Sequence, residues 1–538
     1  MPRMTGGQAL AKSLYLEGVR VIFGLPGVQL YHATDALYDE PGIRFITTRH
    51  EQATAYMADG YSRAGGGIGT ALVVPGPGLL NASAAISTAY SASSPIMVVS
   101  GQVERDLIGS NRGILHEVND QMEAIRPITK FARRILDPAE VPEAVHEAFY
   151  HLKNGRPRPV EIEIPPETLA EVADVELIEP EMGRPVEPSA EKISQAARIL
   201  GSATNPLVWA GGGVISAEAS EALAMVAEHL QAPVITTTEA RGAISDRHPL
   251  ALGCLWLRND PVAKDPADHD VILAVGTRMG FPELLGGQQV IQIDIDPEEL
   301  GRNYDNTFGI HGDARVSLDA LAKALSAQTT PRPDRRGEVE ALRSSRAEAA
   351  HHVEPQDSYM AAVRAAVPDD GILIAGMTQL GYYSRAYIPV YEPRTLITSS
   401  YSGNLGYGFP TALGAKVAQP DRAVVALSGD GGFLFNSQEL ATAVQHGINA
   451  VVVVFNDNAY GNVMRDQVNR FQGRKYGAEL HNPDFVKLAE AYGARGVRAN
   501  SPEELETSLR TSLAHDGPTL IEVPVGPMPT PFERIPGG

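Results

Sequence analysis

Cysteine is almost missing: Cys254 stands alone in 538 residues. A single thiol closes no internal disulfide and supports no cysteine-cluster metal site. Long apolar runs are missing too. The longest strong one covers residues 450–455, far short of the ~18 residues that cross a bilayer. Basic charge is scarce, with 45 Lys and Arg against 65 Asp and Glu and a net charge of −20. A nucleic-acid surface needs clustered cations, and an anionic membrane repels such a chain, so neither partner is expected. Phosphate-bearing ligands stay open, because helix N-termini and backbone N–H groups bind anions on acidic proteins as well. The opening MPRMTGG carries no apolar secretory core, so a cytoplasmic location is expected.

What is present is a globular balance, 43% hydrophobic and 20% charged. The length asks for about three domains at ~150 residues each. Residues 1–172 alternate β-rich segments (19–23, 43–47, 70–74, 96–100) with Ala-rich stretches of helical spacing (51–63, 80–91) and close on a proline-bounded strand at 159–165. Such alternation predicts a parallel sheet with helices on both faces. Residues 171–190 are acidic and proline-rich, as a linker would be. A second unit, 190–326, has strands at 206–210, 234–237, 271–275 and 290–295. A polar stretch at 326–336, with Pro331 and Pro333, reads as another linker. The third unit, 353–530, has strands at 371–375, 395–399, 423–428, 450–455 and 519–523. The predicted fold class is α/β, with three doubly wound parallel-sheet domains.

The most informative segment is VVALSGDGGF, residues 424–433. An apolar strand runs into Gly429, Asp430, Gly431 and Gly432. Glycines let the backbone turn sharply and approach a ligand. An aspartate at the C-terminal end of a strand, in the crevice of an open α/β sheet, is well placed for a cation. A second apolar strand, 451–455, ends in Asn456, Asp457 and Asn458. Neighbouring strands would bring Asp430 and Asp457 to one edge, and oxygen ligands of this kind suit Mg²⁺. Each triplet alone is a common turn former. The pair, at two strand ends, is far more specific.

The pair resembles the Gly-Asp-Gly … Asn-Asn motif of thiamine-diphosphate-dependent enzymes of the acetolactate synthase and pyruvate oxidase type. The resemblance spans nearly the whole chain. It makes the three units pyrimidine-binding, middle and diphosphate-binding domains. It implies Mg²⁺ on Asp430, Asp457 and the Ala459 carbonyl, with Asp457 in place of the usual Asn. It implies thiamine diphosphate contacts at Gly429, Gly431, Gly432, Tyr460 and Gly461, at Thr378 and Gln379, and at Pro26 and Gly27. The loop VPGPGLLNA, 74–82, adds Pro75 and Asn81. The stretch SGNLGYGFP, 402–410, adds the Gly403 carbonyl and Leu405, the residue that would prop the cofactor's bent shape. On the residues alone, Asn81 reads equally as a helix N-cap and Leu405 as a core side chain.

The segment TRHEQATAYMADGYSR, 48–63, resembles the family's catalytic-glutamate helix and gives that role to Glu51. The macrodipole at a helix start favours the carboxylate, while burial beside an aromatic ring opposes it. That balance suits proton exchange near neutrality. Without the metal motif, Glu51 would read as an ordinary N-terminal helix carboxylate. His116, in GILHEVNDQ (113–121), falls where relatives place a Gln or His over the thiazolium. It is the candidate proton-transfer partner, with a structural loop histidine as the alternative and His50 as a second choice.

The implied chemistry attacks the carbonyl of a 2-oxo acid, releases carbon dioxide and uses the ring nitrogen as electron sink. The expected activity is a decarboxylase or carboligase, hence a lyase or transferase. A non-decarboxylating C–C lyase or hydrolase on a diketone or 2-hydroxyacyl-CoA is the alternative. A catalytically silent, cofactor-binding regulatory paralogue is the alternative from another class. Asp466 falls where acetolactate synthases align a tryptophan, and Asn462 replaces a Met, which points away from branched-chain synthesis. Arg465 and Asp466 suggest a more polar substrate and read equally as a solvated helix face. Relatives bind FAD, ADP or nothing in the middle domain. The run Gly211 to Gly213 departs from the dinucleotide fingerprint, so FAD stays open. The family also implies a homodimer or homotetramer with active sites between subunits.

Overall fold

The computed structural model describes residues 2–255, 268–280, 285–350 and 353–530. Three six-stranded sheets, parallel throughout, account for most of it. The first runs Arg44–Thr47, Val21–Gly24, Gly69–Val73, Ile96–Gly101, Val160–Ile164, Phe131–Arg134. The third runs Leu396–Thr398, Ile372–Ala375, Val424–Gly429, Val451–Asn456, Thr519–Pro524, Arg495–Arg498. Counted in chain order within each sheet, both read 2-1-3-4-6-5. The middle sheet runs Ala251–Cys254, Val234–Thr236, Pro206–Ala210, Val271–Val275, Gln289–Asp294, Thr307–His311, which reads 3-2-1-4-5-6. That is the order of doubly wound dinucleotide folds.

The predicted strands appear within one or two residues of their expected ends. Strands at 131–134, 251–254, 307–311 and 495–498 add to them, all four at sheet edges. Central strands such as Val271–Val275 and Val451–Asn456 are buried along their length. This is why they read as continuous apolar runs. A two-stranded antiparallel sheet, Arg3–Thr5 with Val172–Asp174, ties the start of the first unit to its end. Residues 175–189 carry no helix or strand, and helix Ala190–Ser202 then starts on a Ser189 cap. The polar stretch after helix Ala314–Gln328 leads at once into another helix, Arg336–Ala350. Among the described residues no helix is long and apolar enough to cross a membrane.

The first and third sheets share one hydrophobic core, with Phe23, Tyr56 and Ala58 on one side and Tyr407, Phe409 and Phe433 on the other. Helix Glu51–Tyr61 lies directly on helix Gly408–Ala418. A Cβ on Gly60 would overlap the Thr411 carbonyl oxygen, and one on Gly414 would overlap the Met57 carbonyl oxygen. Backbone therefore meets backbone, and this fixes the helix that begins with Glu51 against the third sheet.

Candidate active site

The first sheet gathers its predicted site residues at the C-terminal edge. Helix Glu51–Tyr61 starts at Glu51 itself, with His50 as N-cap: the Gln52 N–H donates to His50 Nδ1 at 3.1 Å. Glu51 is 8% exposed. Asn81 Nδ2 donates to Glu51 Oε2 at 3.1 Å. Asn81 lies inside helix Pro77–Ala92, not at its cap, so its side chain is spent on the carboxylate. The Pro75–Gly78 turn sits between Glu51 and His116. A Cβ on Gly78 would stand 3.4 Å from Glu51 Oε1, and one on Gly76 would overlap the His116 carbonyl oxygen. His116 Nδ1 lies 2.9 Å from Gln29 Oε1, while Gln29 Nε2 donates to the Leu115 carbonyl at 3.3 Å. The second bond fixes the amide of Gln29, so the ring hydrogen belongs on Nδ1 and Nε2 is the acceptor of the neutral imidazole. Gly27 packs on Val74, Pro75 packs against Gly101, and Pro26 is exposed beside them.

The third sheet gathers the second set in the same way. Strands Val424–Gly429 and Val451–Asn456 pair in parallel, Gly429 opposite Phe455, so Asp430 and Asp457 leave the sheet side by side. Asp430 is 2% exposed; burial raises its pKa against backbone N–H groups of Gly431, Asn458 and Ala459. Burial pushes Asp457 up to about 6, and the Asp430 charge adds to the rise. Asn482 Nδ2 donates to Asp430 Oδ2 at 2.6 Å and to Asn456 Oδ1 at 2.9 Å, and its own Oδ1 is buried without a partner. The turn Asn458–Tyr460 pairs with 478–480 through Leu480 N to Asn458 O and Tyr460 N to Ala478 O, both 2.8 Å. Only hydrogen fits on Gly461, because a Cβ would overlap Asp457 Oδ2. A Cβ on Gly431 would stand 2.6 Å from the Tyr460 ring, one on Gly429 3.4 Å from Thr378, and one on Gly432 3.7 Å from Leu405. Thr378 stands at the N-cap position of helix Gln379–Tyr387 without a capping side-chain bond, the helix's first residue Gln379 is buried, and Gly403 takes a left-handed φ of 64° beside Met377. Leu405 is half-buried at the edge and outside the core clusters.

These residues fit a hydrated divalent cation bound to a phosphate. Two carboxylates crowd each other in a partly dry site and both resist ionising, which a cation relieves. An unpartnered Asn482 oxygen and a glycine-lined turn complete the cradle. No cluster of three His, Cys, Asp or Glu exists among the described residues; two carboxylates, a carbonyl and ligand oxygens are what Mg²⁺ usually takes. Asn482, Gln29 and Gln121 were not singled out from the sequence, since isolated amides carry no spacing signal.

The two edges meet through the neighbours of Glu51. Asn436 Nδ2 donates to Gln52 Oε1 at 3.0 Å, and the Arg49 N–H donates to Glu439 at 3.1 Å. Helix Gly461–Arg470, bearing Asn462, Arg465 and Asp466, buries none of its residues. Beside the middle sheet a cavity of 970 Å³ opens, lined by Gly211 to Gly213, Glu239, Arg63, Arg394 and Asp294. Cβ atoms on Gly211 and Gly213 would collide with Gly276, so that glycine run serves the close approach of two turns.

Three family models match in chain order. The "Thiamine pyrophosphate enzyme, N-terminal TPP binding domain" matches residues 4–124, the "central domain" 193–321 and the "C-terminal TPP binding domain" 376–523. The "Probable acetolactate synthase large subunit" of Methanocaldococcus jannaschii is 34% identical over 569 residues, covering 99% of this chain and 94% of that protein. The "Probable 2-ketoarginine decarboxylase AruI" of Pseudomonas aeruginosa is 36% identical over 533 residues, covering 97% and 94%. The "Acetolactate synthase isozyme 3 large subunit" of Escherichia coli is 32% identical over 536 residues, covering 95% and 93%. Three parallel sheets, two furnished edges and three consecutive domain matches have one reading: the chain belongs to the thiamine pyrophosphate enzyme family.

Proposed function

We propose that this protein decarboxylates a 2-oxo acid with thiamine diphosphate and Mg²⁺, as a lyase or a carboligating transferase. The observation that carries the reading is the convergence of Asp430 and Asp457 on adjacent strand ends beside a glycine-lined turn. Asp430, Asp457 and the Ala459 carbonyl would hold the cation. Gly429, Gly431, Gly432, Thr378, Gln379, Tyr460 and Gly461 would lie along the diphosphate, and Gly403 and Leu405 beside the pyrimidine. Pro26, Gly27, Pro75 and Asn81 would close the other side. The bound cofactor would supply a nucleophilic carbon and an electron sink. Glu51 moves a proton at the pyrimidine ring, held in place by Asn81. His116 Nε2 takes or gives a proton at the substrate oxygen, with Gln29 fixing the tautomer.

The working unit is at least a homodimer that shares its sites. Exposed Val28, Tyr31, Leu80 and Leu115 surround the first edge, and exposed Phe435, Val463, Phe471 and Tyr476 flank the second. Apolar surface on both halves favours burial against a second copy. Domain limits of 1–172, 190–326 and 353–530 and a cytoplasmic setting complete the proposal. Asn462 and Asp466, standing where an acetolactate synthase is expected to carry Met and Trp, favour a polar 2-oxo acid, as does Arg465 beside them. Flavin absorbance of the purified protein decides whether FAD occupies the central cavity.

The test is carbon dioxide release from a panel containing pyruvate and 2-ketoarginine. Release that needs both thiamine diphosphate and Mg²⁺ supports the reading, and the products separate decarboxylation from carboligation. Binding of the cofactor with no release from any acid sinks it and favours the C–C lyase or the silent paralogue.

A further inference from the structure

Gln121 opens helix Gln121–Ile125 and is 2% exposed. Its Oε1 accepts from the Gly76 N–H at 2.8 Å. Its Nε2 donates to Ser100 Oγ at 3.1 Å, to the Gly101 carbonyl at 3.0 Å and to Glu163 Oε2 at 2.8 Å. Three acceptors around the nitrogen and one donor before the oxygen leave the amide a single orientation. The donor side is anchored deep in the first sheet. Ser100 accepts from Gln121, so its own hydroxyl is free to donate to Glu161 Oε1, 2.5 Å away. Glu161 and Glu163 are both 0% exposed on strand Val160–Ile164, and Arg134 pairs with Glu163. Burial, with the Glu163 charge behind it, holds the Glu161 carboxyl well above the usual range.

The acceptor side reaches the site. Gly76 has φ 56° and ψ −113°, which only glycine adopts freely. A Cβ there would overlap the His116 carbonyl oxygen, and two residues on, Gly78 abuts Glu51 Oε1. The helix that follows carries Asn81, the partner of Glu51. One turn therefore flanks both groups proposed for proton transfer, and one side-chain amide pins its backbone.

We infer that Gln121 is a positioning residue: it ties the Gly76 turn to the buried Glu161–Glu163 pair and so sets the places of Glu51 and His116. The inference rests on the proposed role of Glu51. Two variants and two readouts test it. Gln121→Met keeps the volume and removes every bond. In protein without cofactor it speeds amide hydrogen exchange in residues 75–81 while strand Ile96–Gly101 stays protected. With thiamine diphosphate and Mg²⁺ added, exchange of the cofactor's C2 hydrogen into deuterium oxide slows on the order of a hundredfold, at unchanged cofactor affinity. Gln121→Glu places a carboxyl against Glu161, Glu163 and Ser100, with Arg134 behind Glu163, and His116 and Glu51 across the turn. Protonated, it still accepts from Gly76 and donates to Glu163; ionised, it repels the Glu163 charge. Its C2 exchange recovers toward wild type as the pH falls.

Unchanged amide exchange at 75–81, or unchanged C2 exchange, in Gln121→Met overturns the inference. If Gln121→Met does not fold, Gln121→Glu decides alone, and no recovery at low pH overturns it. Glu51→Gln is the control. Its C2 exchange should fall about a thousandfold. Wild-type exchange in that variant removes the role of Glu51 and the functional half of the inference with it, while the amide exchange still reports on the pin itself.

Discussion

The first and third sheets share one strand order and furnish the same edge with opposite electrostatics. At the first edge one carboxyl, Glu51, faces the turn among polar side chains: Asn81, Gln29, Gln121 and the His116 ring. At the third edge two carboxyls, Asp430 and Asp457, are pressed together; burial raises both, and the Asp430 charge raises Asp457 further. A lone carboxyl with an amide partner suits proton exchange. A crowded pair suits a cation. Topology supplies the edge in both cases, and the residues placed there decide the chemistry.

The sharpest way to break the comparison is to neutralise the lone carboxyl. Glu51→Gln retains the shape and a partner for Asn81. Carbon dioxide release from whichever 2-oxo acid the wild type accepts should fall about a thousandfold, with the melting temperature unchanged. A variant that still turns over at the wild-type rate would make the two edges equivalent anion and cation holders.

How much of this was legible depended on whether a residue's partner is local. The central strands could be read because both faces are buried, so apolar residues run on without a break, as in VVVVFN at 451–456. Edge strands Phe131–Arg134 and Arg495–Arg498 could not. They are half-buried or exposed, and FARR and RGVR have no apolar rhythm. Asp430 and Asp457 were visible because each ends an apolar strand. Asn482 was not, since it reaches Asp430 only after the chain has folded back past the helix Gly461–Arg470. Gln121 was hidden for the same reason: its partners lie on two separate strands and a turn.

The junction between the two sheets titrates. Glu439 accepts from the Arg49 N–H and from Thr442 Oγ1, and burial pushes its pKa up to about 7. The folded state thus holds a proton that the unfolded chain loses near pH 4.5. Wild-type stability should fall as pH rises from there through 7, by about 3 kcal/mol. Glu439→Gln should lack that decline and be the more stable protein above pH 7. Melting temperatures of both proteins across this range are the check, and parallel profiles would refute it.

The same junction is closed by two glycines. Gly414→Ala drives a Cβ into the Met57 carbonyl oxygen, which belongs to backbone and cannot rotate away. Overpacking of this kind costs about 2 kcal/mol, seen as a lower melting temperature. Gly432→Ala, whose Cβ would find its nearest neighbour at 3.7 Å, is the control that should melt like wild type.

The smallest expected effect makes the third edge resemble the first. Asp457→Asn retains the side chain's shape and an oxygen to accept from the Ala459 N–H at 3.2 Å. It removes the charge that burial and Asp430 both oppose. Wild-type Asp457 takes up a proton on folding between its ordinary range and about 6, so it lowers stability above that pH and is neutral to it in acid. Discounted for partial exposure, the variant should gain about 1 kcal/mol at neutral pH in cofactor-free protein. That gain should disappear when the melt is repeated in acid. Mg²⁺ should bind more weakly, because one of its two charged ligands is gone. A variant that is both less stable without cofactor and unchanged in Mg²⁺ affinity would show that the two aspartates do not work against each other, and that the contrast between the edges lies elsewhere than in charge.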